Sequence, residues 1–304
     1  MDIYLVDGTY ELFRHFYALP AHVNARGEEV AATRGVLNSI AGMLESAITH
    51  IGVATDHVIE SFRNNLWSGY KTSEGVDPRL MAQFPLLEEA LQTMGVVVWP
   101  MVELEADDAL AGAAASLSKL AKVGRIYICT PDKDLAQCVR NDHVVQLDRR
   151  VGSVRNEAGV IERFGVAPSS IPDYLALVGD DADGYPGLEG WGEKSTAAVL
   201  GIYEHLEAIP PKAENWRVQP RSATRLASVL ETNFKLALLF RDLATLRTKE
   251  PNMSSPEELR WSEAGTRFPE ICKRLDDAQL VDRVAKIYAS KRSKSKIKRS
   301  KRSK

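Results

Sequence analysis

Nine carboxylates carry most of the chemistry open to this sequence. Asp7 follows the apolar run IYLV and Glu60 follows HVI. Glu105, Asp107 and Asp108 come after VVVW and open a stretch of strong helix formers. Asp132 and Asp134 follow RIYIC, and Asp180 and Asp183 stand in the loop VGDDADGYPG. The apolar runs read as strands, so seven of these acids fall at strand carboxyl ends, where open α/β sheets place their binding crevice. Like charges packed into one crevice repel, so either some stay protonated or cations fill it. Oxygen ligands with no His or Cys among them suit Mg²⁺ or Mn²⁺. One Mg²⁺ keeps several waters and needs fewer acids. Two ions ~3.5–4 Å apart would use them, clamping the attacking and leaving oxygens of a phosphodiester. Any one of these acids is also explained as a cap, because acids favour helix N-termini. Their succession along strand ends is what argues for a metal site.

A second chemistry lies in GLEGWGEKS, residues 187–195. Gly187, Gly190 and Gly192 permit a tight turn between two helices, and the helix that follows starts beside Lys194 and Ser195. Exposed N–H groups at a helix start, with a base and a hydroxyl beside them, bind a phosphate without reading a nucleobase. Free turn carbonyls could hold a monovalent cation. A plain glycine C-cap is the competing explanation.

The elements that must position these groups alternate in the first half. Strands are expected at 3–6, 57–59, 96–99, 125–129 and 144–147, and helices at 31–50, 78–94 and 109–121. That alternation predicts an α/β domain over 1–165, with a parallel-rich sheet flanked by helices. After residue 165 strand signals stop. Helices at 168–178, 194–206, 221–248 and 269–289 predict a helical subdomain over 166–289, broken by the loop IPPK. Residues 290–304 are low-complexity and basic, a composition that predicts a disordered tail.

Composition excludes other classes. With 44% hydrophobic and 26% charged residues the chain is neither mainly disordered nor collagen-like. No apolar run approaches the ~18 residues of a membrane helix, and MDIYLVDG is no signal peptide. Three scattered cysteines give no disulfide framework or zinc site, so a cytoplasmic location is expected. The net charge of −2 hides an asymmetry, since residues 291–304 hold nine of the 39 bases and no acid. The rest has 30 bases against 41 acids, a net of −11. The tail therefore meets a polyanion or is an inert extension.

With these residues assembled, the chain resembles the bacterial 5′–3′ exonuclease and flap endonuclease family, which includes the N-terminal 5′-nuclease domain of DNA polymerase I. The resemblance spans about residues 2–250. It rests on LVDGTYELFR, FRNNLWSGYK, ELEADDALAG, TPDKDLAQ and IPDYLALVGDDADGYPGLEGWGEKS. It implies a PIN-like nuclease core with a helix–three-turn–helix subdomain that grips the duplex backbone and a K⁺ ion. The implied first metal set is Asp7, Glu105 and Asp107, with Asp108 nearby, and the second is Asp132, Asp134, Asp180 and Asp183. Asp181 matches a position that is not a ligand. Arg63, Tyr70 and Lys71 match the base of a helical arch. There Lys71 would face the scissile phosphate and Tyr70 would stack on an unpaired base. Arg14 and Lys133 match further phosphate contacts.

Two departures stand out. Glu60 takes the place of an Asp that usually ends the second strand, with fewer residues before the FR pair. The segment TSEGVDP after Lys71 lacks a further Arg. The implied activity is Mg²⁺-dependent, structure-specific 5′ nuclease cleavage of DNA with 5′ ends or flaps. Its context is removal of RNA primers and repair, as a monomer at the nucleoid in a pathway shared with a DNA polymerase. No polymerase domain is expected after residue 304. The rival readings are a branched-DNA binding protein with weak or lost catalysis, and a PIN-like ribonuclease.

Overall fold

The structure is a computed structural model. It describes residues 1–293, with the backbone of the last helix followed to Arg302. In chain order the elements begin β1 (Ile3–Asp7), α1 (Gly8–Ala18), α2 (Ala31–Glu45), β2 (Ile51–Asp56), α3 (Pro78–Met81), α4 (Gln83–Thr93), β3 (Val97–Met101) and α5 (Ala106–Leu117). They continue β4 (Ile126–Cys129), β5 (Val144–Asp148), β6 (Ser153–Arg155), α6 (Glu157–Phe164), α7 (Ile171–Val178) and α8 (Glu193–Tyr203). The chain then forms α9 (Ala223–Thr232), α10 (Phe234–Ala244), α11 (Phe268–Arg274) and α12 (Gln279–Arg302).

The sheet runs β3-β2-β1-β4-β5-β6, parallel except for the β5–β6 hairpin. Strand order reverses at β1, which has β2 on one side and β4 on the other. Such a reversal opens a crevice beyond the strand carboxyl ends. Asp7, the last residue of β1, sits at that point, in register with Ala54 of β2.

Two apolar layers hold the sheet. Val6, Leu37, Ile40, Val53 and Leu87 pack on one face with α1, α2 and α4. Ile3, Leu5, Leu110, Ile126 and Ile128 pack on the other with α5. A third core, including Leu177, Trp191 and Phe240, lies among α7 to α10. Each fully buried Leu, Ile or Phe contributes roughly 1.5–3 kcal/mol.

The second strand differs from expectation. HVI is not a strand; the strand is the preceding IGVATD, buried at every residue. Its Gly, Ala and Thr make a weak apolar signal, but Trp99 of β3 packs over Gly52 and fills the space that larger side chains would occupy. This moves the end of β2 from Glu60 to Asp56. The helix expected over 221–248 breaks at Asn233, whose side-chain amide donates to Val229 O (2.9 Å). The helix expected over 78–94 breaks at Ala82, and α1, α6 and β6 escaped the periodicity reading.

The C-terminal helices do not belong to the helical core. Phe268 and Ile271 of α11 and Leu275 just after it, with Val284 and Ile287 of α12, join the core of the α/β body. The segment expected to close a helical subdomain at residue 289 therefore folds back onto the first domain. Lys291 Nζ donates to Ser46 O (2.7 Å) and Ile48 O (2.5 Å), so residues 290–293 are helical and docked. The helix continues to Arg302 where a disordered tail was expected, and only residues 303–304 of that tail lie outside the described backbone.

Candidate metal centre and nucleic-acid groove

Local structure explains why the acids converge. Asp7 ends β1 and caps α1, its Oδ1 accepting from Tyr10 N (2.7 Å) and its Oδ2 from Thr130 Oγ1 (3.0 Å). Asp56 ends β2, and its Oδ1 accepts from Ala106 N (2.6 Å) at the start of α5. Glu105 and Asp107 open α5, and acids are favoured at that positive end. Asp132 follows β4, and its Oδ1 accepts from Asp134 N (2.8 Å). The loop after α7 brings in Asp180 and Asp183.

The electrostatics describe one acidic ribbon. Burial, with Asp56 and Asp132 nearby, pushes Asp7 up to about 7. Burial pushes Asp56 up to about 6, against the pull of Lys71 and with Glu105 adding to the rise. Asp107 is raised well above the usual range by burial and then by Asp132 and Asp7. Asp134 is raised likewise by burial, then by Asp132, Asp183 and Asp180. Asp132 and Asp183 are also raised, burial leading in both. Carboxyls that resist ionisation together form a site that a cation would relieve.

Asp134, Asp180 and Asp183 each place one oxygen within 4.8 Å of the others. Asp134 Oδ1 is buried and has no hydrogen-bond partner. A buried acceptor of this kind costs ~1–3 kcal/mol unless something satisfies it. Three hard oxygens and an unpartnered one fit a divalent cation such as Mg²⁺ or Mn²⁺. Asp132, grouped with this set by sequence, is not among the three that converge and is exposed. Asp181 is exposed.

Lys71 joins the two halves of the ribbon. Its Nζ lies 2.8 Å from Glu105 Oε2 and 2.9 Å from Asp183 Oδ1. Glu105 ionises below its usual range, because Lys71 and Arg63 together outweigh the upward push of burial. Backbone and side-chain bonds hold Lys71 there. Lys71 N donates to Asp183 O (3.0 Å), Asn64 Nδ2 to Lys71 O (2.9 Å) and Trp67 Nε1 to Gly184 O (3.0 Å). Gly184 has φ +82°, and a Cβ there would fall 2.0 Å from Gly69 O, so only glycine lets the two segments meet.

Several expected site residues have other work. Arg63 is buried at 1% exposure. It makes a bidentate pair with Asp108 (2.7 and 2.8 Å), reaches Glu105 Oε1 (3.1 Å) and donates to Leu243 O (2.8 Å). It braces α5 against α10 and cannot reach a substrate. Asp108 is fully buried, and its oxygens also accept from Glu105 N and Arg247 N, which leaves none for a metal. Tyr70 is buried in the helical core, its hydroxyl 3.3 Å from Glu105 Oε2 and 3.2 Å from Asp183 Oδ2. It has no free face on which a base could stack. Glu60 accepts from Ser73 N (2.8 Å) and Ser73 Oγ (2.6 Å) and fastens a loop. Asp56 occupies the strand-end place given to Glu60, and the departure noted in the sequence disappears with the strand reassigned. Lys133 pairs with Asp180 Oδ2 (3.1 Å), and Arg14 with Glu11 (2.5 Å).

The glycine turn divides its roles. Gly187, at φ +69°, passes so close to the end of α7 that a Cβ would lie 2.4 Å from Gly179 N. Gly190, Gly192, Lys194 and Ser195 line an open groove of about 620 Å³. Gly192 N donates to Ser195 Oγ (3.1 Å), capping α8. Arg221 and Arg225 face the same groove from the start of α9 and were missed by sequence reading, because thirty residues separate them from the turn. Arg225 pairs with Glu189 (2.5 Å).

Comparison with known proteins agrees with this geometry. Residues 2–165 match the 5′–3′ exonuclease N-terminal resolvase-like domain, and residues 166–267 match the 5′–3′ exonuclease C-terminal SAM fold. The chain is 31% identical over 282 residues to a 5′–3′ exonuclease of Aquifex aeolicus, covering 89% of this chain and 95% of that protein. It is 33% identical over 253 residues to a 5′–3′ exonuclease of Buchnera aphidicola, covering 80% and 81%. DNA polymerase I of Pseudomonas aeruginosa is 34% identical over 80% of this chain, which spans only 27% of that polymerase. Two solved structures share the fold. The T5 5′-exonuclease with bound zinc has TM-score 0.62 at 16% identity, covering 95% of this chain and 99% of that one. The catalytic core of Rad2 with a DNA substrate has TM-score 0.63 at 15% identity, covering 93% and 90%. The two domain matches and the full-length relatives show that this chain belongs to the 5′–3′ exonuclease family.

Proposed function

We propose that the protein is a divalent-cation-dependent, structure-specific 5′ nuclease that cuts DNA bearing 5′ ends or flaps, with Mg²⁺ as the working ion. The observation that carries the reading is the unpartnered, buried Asp134 Oδ1 facing Asp180 and Asp183. These three residues would hold one ion. Asp7, Asp56, Asp107 and Asp132 are the candidates for a second. When bound, such ions polarise the reacting phosphate and neutralise the charge that builds on it. Lys71 Nζ, poised between Glu105 and Asp183, would supply a positive charge to the scissile phosphate. Arg63 fixes the start of α5 and so the aim of Glu105 and Asp107.

The duplex is held away from this acidic ribbon. Lys194, Arg221 and Arg225 around the open Gly190–Gly192 turn suit a phosphate backbone. The turn carbonyls are the candidate ligands for K⁺. Relatives named DNA polymerase I support a role in primer removal and repair beside a polymerase. The proposed setting is a monomer in the cytoplasm near the nucleoid. Among the described residues no helix is long and apolar enough to cross a membrane.

The test uses an internally labelled 5′-flap DNA and a single-stranded RNA of matching sequence, each with Mg²⁺ or EDTA. Cutting of the flap near its junction with Mg²⁺ alone is the expected result. Tight flap binding without cutting in any divalent ion would establish a binding protein, and cutting of the RNA alone would establish a ribonuclease.

A further inference from the structure

A buried hydroxyl beside the cation site has no use in the fold. Tyr185 is 1% exposed, and its Oη has no hydrogen-bond partner. Its ring is accounted for, stacked on Phe240 of α10 with centroids 5.5 Å apart in the helical core. The hydroxyl is not, and a buried phenol normally has a partner for its O–H. Leaving it unsatisfied carries a cost that Phe would avoid. Tyr70 provides the contrast, since its hydroxyl reaches both Glu105 Oε2 and Asp183 Oδ2.

The backbone sets Tyr185 against the acids. Asp180 N donates to Tyr185 O (2.8 Å) and Tyr185 N to Asp180 O (3.1 Å), an antiparallel bridge. Residues opposed in this way carry their side chains on one face, with Cβ atoms ~4.5–5.5 Å apart. The Tyr185 side chain therefore leaves the loop on the side where Asp180 meets Asp134 and Asp183. Burial pushes the Tyr185 hydroxyl well up, and Asp134, Asp180 and Asp183 add to the rise in that order. Asp134 Oδ1 is itself buried without a partner. Two orphaned atoms, an acceptor and a hydroxyl, thus lie at one site without bonding to each other. A divalent ion would bring oxygens to that site, since Mg²⁺ keeps several of its waters.

Resting on the cation reading above, we propose that Tyr185 is a positioning residue of the Asp134–Asp180–Asp183 site, its hydroxyl hydrogen-bonded to an oxygen of the cation's coordination shell. Partners of this outer kind orient the groups that touch an ion, and losing one typically costs roughly 10–100-fold in affinity. The hydroxyl acts as an ordinary neutral phenol and takes no part in proton transfer.

The experiment titrates the metal-free full chain with Mn²⁺ by calorimetry and follows its thermal melting without metal. Asp134→Asn marks the site, as the Mn²⁺ binding that this substitution removes. Tyr185→Phe keeps the ring on Phe240 and deletes only the hydroxyl. It should weaken that Mn²⁺ binding by about tenfold. The metal-free variant should melt at the parent temperature or higher, because an unsatisfied hydroxyl has gone. Mn²⁺ affinity within twofold of the parent overturns the inference. So does a lower metal-free melting temperature, which would show that the hydroxyl already has a partner in the fold. Either result leaves the nuclease reading intact when the parent chain cuts the flap with Mg²⁺. A parent chain that binds no Mn²⁺ and cuts no flap overturns both.

Discussion

At the scale of single residues, the two neighbours Asp56 and Glu60 show how a site is gained or lost by one strand assignment. Asp56 faces Asp7, Asp107 and Glu105 across the crevice, whereas Glu60 is engaged with Ser73. Asp56→Asn keeps an oxygen for Ala106 N but removes a buried charge. It should lower the cleavage rate at limiting Mg²⁺ by at least tenfold and raise the melting temperature of the metal-free protein at pH 8 by a few degrees. The carboxyl raised to about 6 costs at most about 3 kcal/mol when ionised in the fold. Glu60→Gln should leave the Mg²⁺ titration unchanged, and a shifted titration would return Glu60 to the site. Most of the acids were legible in the sequence because residue type marks them, but Asp56 was missed because its strand was read four residues too late and Glu60 took its place. Arg63, Asp108 and Tyr70 were misread, because their motif matches a site while their burial is decided by α5, α10 and the helical core.

At the scale of elements, most of the fold was legible where the hydrophobic period was strong, as in β1, β4, α2 and the helix after the glycine turn. It failed where tertiary packing replaces local signal. β2 uses small residues under Trp99, and α1 begins directly at the strand-end Asp7, with no loop to announce it. The contact between the Lys71 segment and the acid loop was also illegible, since it depends on two glycines far apart in sequence. Gly184→Ala tests it. The substitution strains φ +82° and drives a Cβ into Gly69 O, so Lys71 should lose its place between Glu105 and Asp183. The single-turnover rate should fall at least tenfold while duplex affinity through the distant Lys194 groove holds within twofold. Equal losses in rate and affinity would instead point to general unfolding.

At the scale of the whole molecule, an acidic body must approach a polyanion, and the structure separates the two charges. Bases gather at the α8–α9 groove and acids at the sheet's carboxyl edge. That separation has a thermodynamic signature. Asp7 and Asp56 have folded pKa values near 7 and 6, above the ~3.9 of an unfolded Asp, so the fold binds protons that the unfolded chain releases. Their cost is absent below about pH 4 and complete above about pH 7. The metal-free protein should therefore melt at a higher temperature at pH 5.5 than at pH 8. Saturating divalent cation should raise the pH 8 value most, because it binds the ionised form. A metal-free melting temperature that rises with pH would contradict this charge arrangement.

The central claim is that the crevice holds the cation that does the chemistry, and Asp134→Asn tests it most directly. The side chain stays the same size in a buried place, while its unpartnered carboxylate oxygen becomes part of a neutral amide. The decisive measurement is the single-turnover rate on a 5′-flap DNA at saturating Mg²⁺, set beside flap affinity in Ca²⁺. The rate should fall by at least a hundredfold with affinity unchanged or higher, since a negative charge near the phosphate has gone. A variant that cuts within a few-fold of the parent rate would contradict the claim, and the acids would then serve some purpose other than holding the working ion.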